Sequence, residues 1–378
     1  MKKFLAILAA LMLAALNVSA QEELYAIFDY KDSVLTLYFG RCNNCNGSID
    51  KNDFYPTDCI RKIVIDSTVK NYWPKSYKNF FRRCDSVEEI VGLKYLNPPL
   101  DGDMSEMFAN CANIETLDLE GFDTHGIKNM EGMFYGCKKL KKIDLSGFDT
   151  EMVTNLAWMF KGCISIDSLD LRSFDTRSVY RMEDMFEGCS NLKSVDVSSF
   201  NTENIVVMCG MFANCTSLKT IDLSNFTRWR EYTRYSNIDK MFSGCHSLTT
   251  IYASCNWNME GFQDFGIFTD CYSLYGGQGT HYIGYSNGDE YARIDKGAEC
   301  PGYFTLKGQP LFWSKAYTVL KDSVLTFRYS DTKPIDNDYY LLGGYCNNNS
   351  KIKTVVFDKS FKNTIQSHVP IGSVASTI

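Results

Sequence analysis

From residue 104 onward the chain alternates two apolar patterns. One is a short beat of apolar–Asp–apolar, as in Ile143-Asp144-Leu145 and Leu169-Asp170-Leu171. It predicts a short strand with two side chains inward and the Asp outward. The other is longer, with apolar residues at helical spacing: Val153, Leu156, Met159 and Phe160, then Val179, Met182, Met185 and Phe186. Asp149-Thr150 and Asp175-Thr176 precede these runs, which is helix N-cap chemistry. Gly136, Gly162, Gly188 and Gly244 stand near their ends and suit a helix C-terminus. The predicted unit is therefore strand, turn, short helix, turn.

The unit repeats. Cysteines fall at 111, 137, 163, 189 and 215, each 26 residues after the last; Cys245 follows after 30 and Cys271 after 26. A phenylalanine stands three residues before each: Phe108, Phe134, Phe160, Phe186, Phe212, Phe242 and Phe268. Methionine precedes the first six of these, and Ile267 the seventh. Phe81 and Cys84 keep the spacing and mark an atypical leading unit. After each cysteine the rhythm is L-x-x-L-x-L, that of leucine-rich repeats, whose period range includes 26 residues. No single unit can bury its own Leu, Ile, Met and Phe, whereas stacked units can. The expected fold is an α/β solenoid: a leucine-rich-repeat-like array of strand–helix units, with a β-rich N-terminal cap and a partial second β module at the C-terminus.

The phrase MFYGCKKLKKIDLSGFDT (133–150), repeated as MFKGCISIDSLDLRSFDT (159–176), resembles the repeat of BspA-like leucine-rich-repeat surface proteins of bacteria. The resemblance covers about residues 104–274 and continues into SLYGGQGTHYIGYSNGDEYARIDKGAECPGYFTLK (273–307), similar to that family's segment after the last repeat. AIFDYKDSVLTLYFG and IRKIVIDSTVKNYWP resemble its strand-rich leading segment. The resemblance implies a solenoid shown at, or released from, a bacterial surface, and a role in adhesion to host proteins, matrix or other bacteria.

The remaining boundaries follow from local signals. Residues 1–20 read as a Sec signal peptide: Lys2 and Lys3, an apolar run to about Leu16, then Val18-Ser19-Ala20 before Gln21. The apolar run is too short to span a bilayer, so the chain is expected to be exported and not membrane-spanning. A β-rich cap module occupies 21–103, the repeats 104–274, and a post-repeat segment 275–311. From 312 to 378 the cap is copied in part. KDSVLT recurs at 31–36 and 321–326, and IRKIVIDSTVKN (60–71) matches IKTVVFDKSFKN (352–363). No repeats follow this copy, so the final ten or so residues are expected to be poorly ordered. A truncated gene and an edge that docks another chain both account for that arrangement.

Charge then narrows the partners. The formal net charge is −6, and loss of the two signal-peptide lysines makes it about −8. This argues against nucleic acid, which needs a basic face. Four histidines, His125, His246, His281 and His368, stand out of register. There is no G-x-S-x-G, no phosphate-cradling glycine loop and no H-E-x-x-H, so neither catalytic residues nor a cofactor nor a metal is assigned. The cysteine column reads as small inward thiols rather than metal ligands, which need two or more ligands grouped together. Cys42 and Cys45 frame a Cys-Asn-Asn-Cys loop, read either as local or as a disulfide to Cys59.

Two sets of residues remain for binding. Asp118, Asp144, Asp170, Asp196 and Asp222 form an outward acidic column, read either as local hydrogen bonding or as a face for basic or cation-bridged ligands. Beside them the outward residues vary: Glu115, Lys141, Asp167, Lys193 and Lys219. The second set lies where the period falters, in TRWREYTRYSN (227–237). Its Trp229, Arg230, Tyr232, Arg234 and Tyr235 are hot-spot residue types in an insertion, where solenoids place binding loops. The expected function is non-catalytic binding of a protein or glycan at a cell surface. A secreted glycan-acting enzyme or subunit, and a spacer without a ligand, are the alternatives.

Overall fold

The computed structural model describes residues 23–29, 31–40, 59–226, 238–255, 266–282, 291–296 and 300–308, and the backbone of four further strands between 316 and 357. Strands β1 (Glu23–Asp29) and β2 (Val34–Gly40) form an antiparallel hairpin. β2 then pairs in parallel with β3 (Lys62–Ile65), and β3 with β4 (Glu89–Val91). The change of sense at β2 starts the solenoid. Alternation puts Leu35, Leu37, Ile63, Ile65 and Ile90 in the core.

Each later rung adds one short strand. These are β5 (Thr116–Leu117), β6 (Lys142–Ile143), β7 (Ser168–Asp170), β8 (Ser194–Asp196), β9 (Thr220–Leu223), β10 (Thr250–Ala253) and β11 (Phe304–Leu306). The pairing follows the sequence period: Thr116 faces Lys142 and Asp170 faces Asp196. A second parallel column of bridges runs Asp103–Asn129–Asn155–Arg181–Val207.

The predicted helices are absent. Two 3₁₀ turns, Ser67–Asn71 and Leu93–Tyr95, precede the repeats, and no described residue within the repeat units is helical. The apolar run of each unit is a series of tight turns. Met107 N–H donates to Met104 O, Ala109 to Glu106 O and Cys111 to Phe108 O. The intervening amides point to the next rung: Glu106 to Glu131 O, Phe108 to Met133 O and Asn110 to Tyr135 O. Two residues per unit hold positive φ, such as Glu106 (54°) and Asn110 (61°), Gly132 (58°) and Gly136 (69°), Asp184 (53°) and Gly188 (72°). A right-handed helix cannot pass through such residues. Gly136, Gly162, Gly188 and Gly244 are therefore left-handed turn residues rather than helix C-caps. The three-and-four spacing of Met and Phe is real, but turns closing at i+3 produce it as well as a helix does.

Three ladders hold the rungs in step. Eight phenylalanines from Phe81 to Phe268 stack face to face, with centroids 5.3–5.9 Å apart and planes within 17°. Every repeat cysteine from Cys111 to Cys271 is a buried thiol donating to the carbonyl of the phenylalanine one rung back, at 3.0–3.2 Å. Burial pushes the Cys189 and Cys245 thiols up to about 12. The threonines of the Phe-Asp-Thr phrase are buried clips rather than helix caps. Thr150 Oγ1 donates to Asp175 O (3.1 Å) and accepts from Asp175 N–H (2.7 Å). Thr124 and Thr176 do the same one rung either side.

A separate four-stranded sheet repeats the plan of the cap. β12 (Ala316–Lys321) and β13 (Val324–Tyr329) are antiparallel, and β15 (Thr354–Phe357) lies parallel to β13, while β14 (Tyr339–Leu341) pairs antiparallel with the outer edge of β12. β15 starts 292 residues after β3, the offset of the two matching sequence segments. The final residues expected to be poorly ordered lie outside the described residues.

Candidate functional site

The burial pattern defines the outer surface. Within the phrase at 133–150, Met133, Phe134, Cys137, Leu140, Leu145 and Phe148 are buried, and Ile143 is half-buried. Lys138, Lys139, Lys141, Lys142, Asp144 and Ser146 are exposed.

The acidic column is placed where the strand beat puts it. Asp118, Asp144 and Asp170 are exposed; Asp196 and Asp222 are half-buried. Each carboxylate accepts the backbone N–H two residues on, at 2.9–3.1 Å, closing the turn after the strand. Such Asx turns are what Asp does next to a chain reversal. Cations also reach the column. Arg172 grips Asp170 and lies 3.7 Å from Asp196, and Lys307 of the post-repeat segment meets Asp222 at 2.6 Å. These hydrogen bonds and the arginine hold Asp170 down at about 2, and the Ser146 turn lowers Asp144. Among the described residues no group of three His, Cys, Asp or Glu side chains converges as a metal site.

The variable residues beside the column pair across rungs: Lys141 with Glu115 at 2.8 Å and Lys193 with Asp167 at 4.0 Å. The structure thus joins the two outward sets into one charged strip on the strand side.

Trp229, Arg230, Tyr232, Arg234 and Tyr235 lie outside the described residues, as do Cys42 and Cys45. The rungs that flank the insertion stay in register. Phe212 stacks on Phe242 at 5.6 Å, and the Cys245 thiol reaches Phe212 O at 3.0 Å. The Phe and Cys ladders therefore continue unbroken from one flanking rung to the other.

Sequence reasoning missed a polar network on the turn side. Glu183 is only 7% exposed and pairs with Arg181, which lies 3.9 Å from Glu131. Asn155 Nδ2 donates to Glu131 Oε2 at 2.7 Å. Lys161 bridges Asp184 (2.9 Å) and Glu187 (2.5 Å). The available signal was polar residues within the apolar run, spaced by one period. Nearby, an open depression of about 540 Å³ lies between Lys128, Glu151, Met152, Thr154 and Arg177. His125 Nδ1 lies 3.0 Å from Asp149, which raises the imidazole pKa. His125 is exposed and Asp149 half-buried, and the other oxygen of Asp149 accepts from Glu151 N–H at 3.0 Å.

Among the described residues no helix is long and apolar enough to cross a membrane. Comparison with known proteins bears on the array. Residues 102–226 and 166–275 match the family described as "Mycoplasma protein of unknown function, DUF285". No curated protein matches the sequence. The chain is similar to a solved leucine-rich repeat protein from Bacteroides ovatus ATCC 8483, at 13% identity and a TM-score of 0.34, covering 68% of this chain and 81% of that one. It is also similar to a leucine rich cell surface protein from Faecalibacterium prausnitzii A2-165, at 14% identity and a TM-score of 0.30, covering 70% and 82%. Neither superposition supports a residue-by-residue transfer. The family match over residues 102–275 falls on the same stretch as the phrase repeated in register and its one-strand rungs.

Proposed function

We propose that this chain is a non-catalytic binding protein of a bacterial surface, which holds protein or glycan ligands along its solenoid. The observation that carries the reading is the division of labour within each rung. Inward positions are fixed from rung to rung by the Phe, Cys and Thr ladders. Outward positions alternate freely between acid and base, as at Glu115, Lys141, Asp167 and Lys193. A rigid stack with a variable exterior suits recognition through many weak contacts. Export by the N-terminal signal and display at the surface belong to the same reading. So does a binding role for the 227–237 insertion, through Trp229, Arg230, Tyr232, Arg234 and Tyr235.

The test uses the chain from residue 21, applied to immobilised matrix proteins, whole bacteria and a glycan array, with and without calcium. Saturable capture on at least one surface is expected. Replacing Trp229, Arg230 and Tyr232 together by Ala should weaken it while the thermal midpoint stays unchanged. No capture on any surface would overturn the binding reading. Calcium-dependent capture lost on replacing Asp144 and Asp170 by Asn would shift the site to the acidic column.

A further inference from the structure

The turn side carries one place where the repeat leaves both room and uncompensated charge. Arg83, Asn110 and Gly136 occupy the same position in three successive rungs, each with positive φ (62°, 61° and 69°). Their backbone amides form one inter-rung ladder, to Ala109 O, Tyr135 O and Lys161 O at 2.6–2.8 Å. Two residues further on, Asp85, Ala112 and Lys138 form a parallel column. The middle of that column is the small Ala112, and the first column shrinks from Arg to Asn to Gly. Between them opens a cleft of about 400 Å³, which these six residues line together with Arg82.

Cations outnumber acids in the cleft, since Asp85 is the one carboxylate of the lining, against Arg82, Arg83 and Lys138. Glu106 is spent on Arg82 at 2.9 Å, and Glu115 on Lys141 at 2.8 Å. Among the described residues neither Arg83 nor Lys138 forms an ion pair, and both are exposed. Arg82 Nε is buried at the rim without a hydrogen-bond partner. The same two columns in the next rungs carry Gly162 with Ile164 and Gly188 with Ser190, so this trough has no such cation pair there. Two cations without an ion pair, one carboxylate and an amide side chain thus line one cleft on a chain that is acidic overall.

We infer that this cleft binds the anionic group of an acidic saccharide, a sulfate or a carboxylate on a sugar ring, with Arg83 and Lys138 as the charged contacts and Asn110 as a hydrogen-bonding one. The lining favours a sugar over an acidic peptide. A peptide gains affinity by pairing with a free backbone edge, by sinking apolar side chains into pockets, or by setting acidic side chains against an arginine cluster. Here the amides of Arg83, Asn110 and Gly136 are already used between rungs, and Ala112 is the largest apolar side chain present. The Asn110 carboxamide oxygen covers Gly136, and Asp85 lies in the same lining, so the cations stand beside two acceptors, which take the hydroxyl donors of a sugar and repel a run of acidic side chains. The inference rests on the binding reading above and gives it one ligand class.

The test is calorimetric titration of the chain from residue 21 with a heparin-derived hexasaccharide and, separately, an oligogalacturonide of similar length. Polyglutamate and neutral dextran serve as controls. Binding by at least one acidic saccharide is expected, with affinity falling as salt is raised. The variant Arg83→Gln/Lys138→Gln should bind at least tenfold more weakly, while Lys31→Gln, exposed in the turn between β1 and β2, should match the parent. Should the double variant fail to fold, Lys138→Gln alone changes one exposed side chain and is expected to lose severalfold. Equal affinity of parent and variant, no binding of either saccharide at low salt, or equal binding of polyglutamate would each overturn the inference. Surface capture with the same variants separates the two levels. Capture that survives while saccharide binding is lost leaves the cleft as a site apart from adhesion. A parent that binds saccharide yet captures no surface retires the adhesion reading and keeps the cleft.

Discussion

On the strand side of a rung, two to four residues pair with the next rung and alternate inward and outward. On the turn side the run from Met104 to Cys111 divides its amides, every second one closing a local turn and the others reaching the next rung. Both sides satisfy the buried backbone, as they must. They differ in what fixes their geometry. The strand side needs only extended residues and small Asx turns. The turn side needs two left-handed residues per unit, a thiol on a carbonyl and a stacked ring. The outward chemistry differs accordingly. The strand side carries a strip of paired charges, while the turn side, with its small or left-handed residues, opens a cleft.

The largest test of that contrast is removal of a ring. Phe160 is fully buried between Phe134 at 5.6 Å and Phe186 at 5.8 Å. Phe160→Ala should cost about 3–5 kcal/mol in denaturant unfolding. A loss below about 1 kcal/mol would mean the turn side collapses easily around the gap. Next comes the buried clip at the junction of the two sides. Thr150→Val keeps the shape but strands the Asp175 N–H, and should cost about 1–3 kcal/mol. A neutral outcome would show that water replaces the hydroxyl there.

A smaller change decides turn against helix by its sign. Lys240 is exposed at φ 58°, and glycine holds the equivalent place at Gly210 and Gly266. Lys240→Gly should stabilise by about 0.5–1 kcal/mol by relieving left-handed strain. In a helix interior the same change would destabilise by about 1 kcal/mol. The smallest expected effect is on the strand side and depends on pH. Asp170 is held at about 2, below its ordinary value of 3.8. Its contribution is present above about pH 4 and fades as pH falls toward 2. Asp170→Asn keeps the turn acceptor but lacks the titration. Thermal midpoints compared between pH 5 and pH 2 should fall less for the variant. Identical curves would show that solvent screens the carboxylate fully.

Much of this was legible in the chain. The 26-residue phrase gave the solenoid, its register and nearly every buried residue, because stacking identical units forces identical inward side chains. The Asp column was legible as outward. The helices were misread because Met and Phe at three- and four-residue steps fit both a helix and consecutive turns. Glycines near a helix end and glycines within tight turns also look alike. Asn110 and Asp270 in the column of Gly136 and Gly162 were the available hint, since Asn and Asp tolerate left-handed backbone.

The sequence by itself determined which residues face inward and that successive units stack, since burial periodicity is written into residue order. Only the tertiary structure decided where the amides between Met104 and Cys111 go, because half of their partners lie 25 residues away in the next rung. It also decided that the Phe-Asp-Thr threonine clips rungs together and that Arg83 and Lys138 share a cleft. Those groups lie 55 residues apart in the chain. They meet because two rung steps of about 5 Å each carry the chain past the small side chain of Ala112.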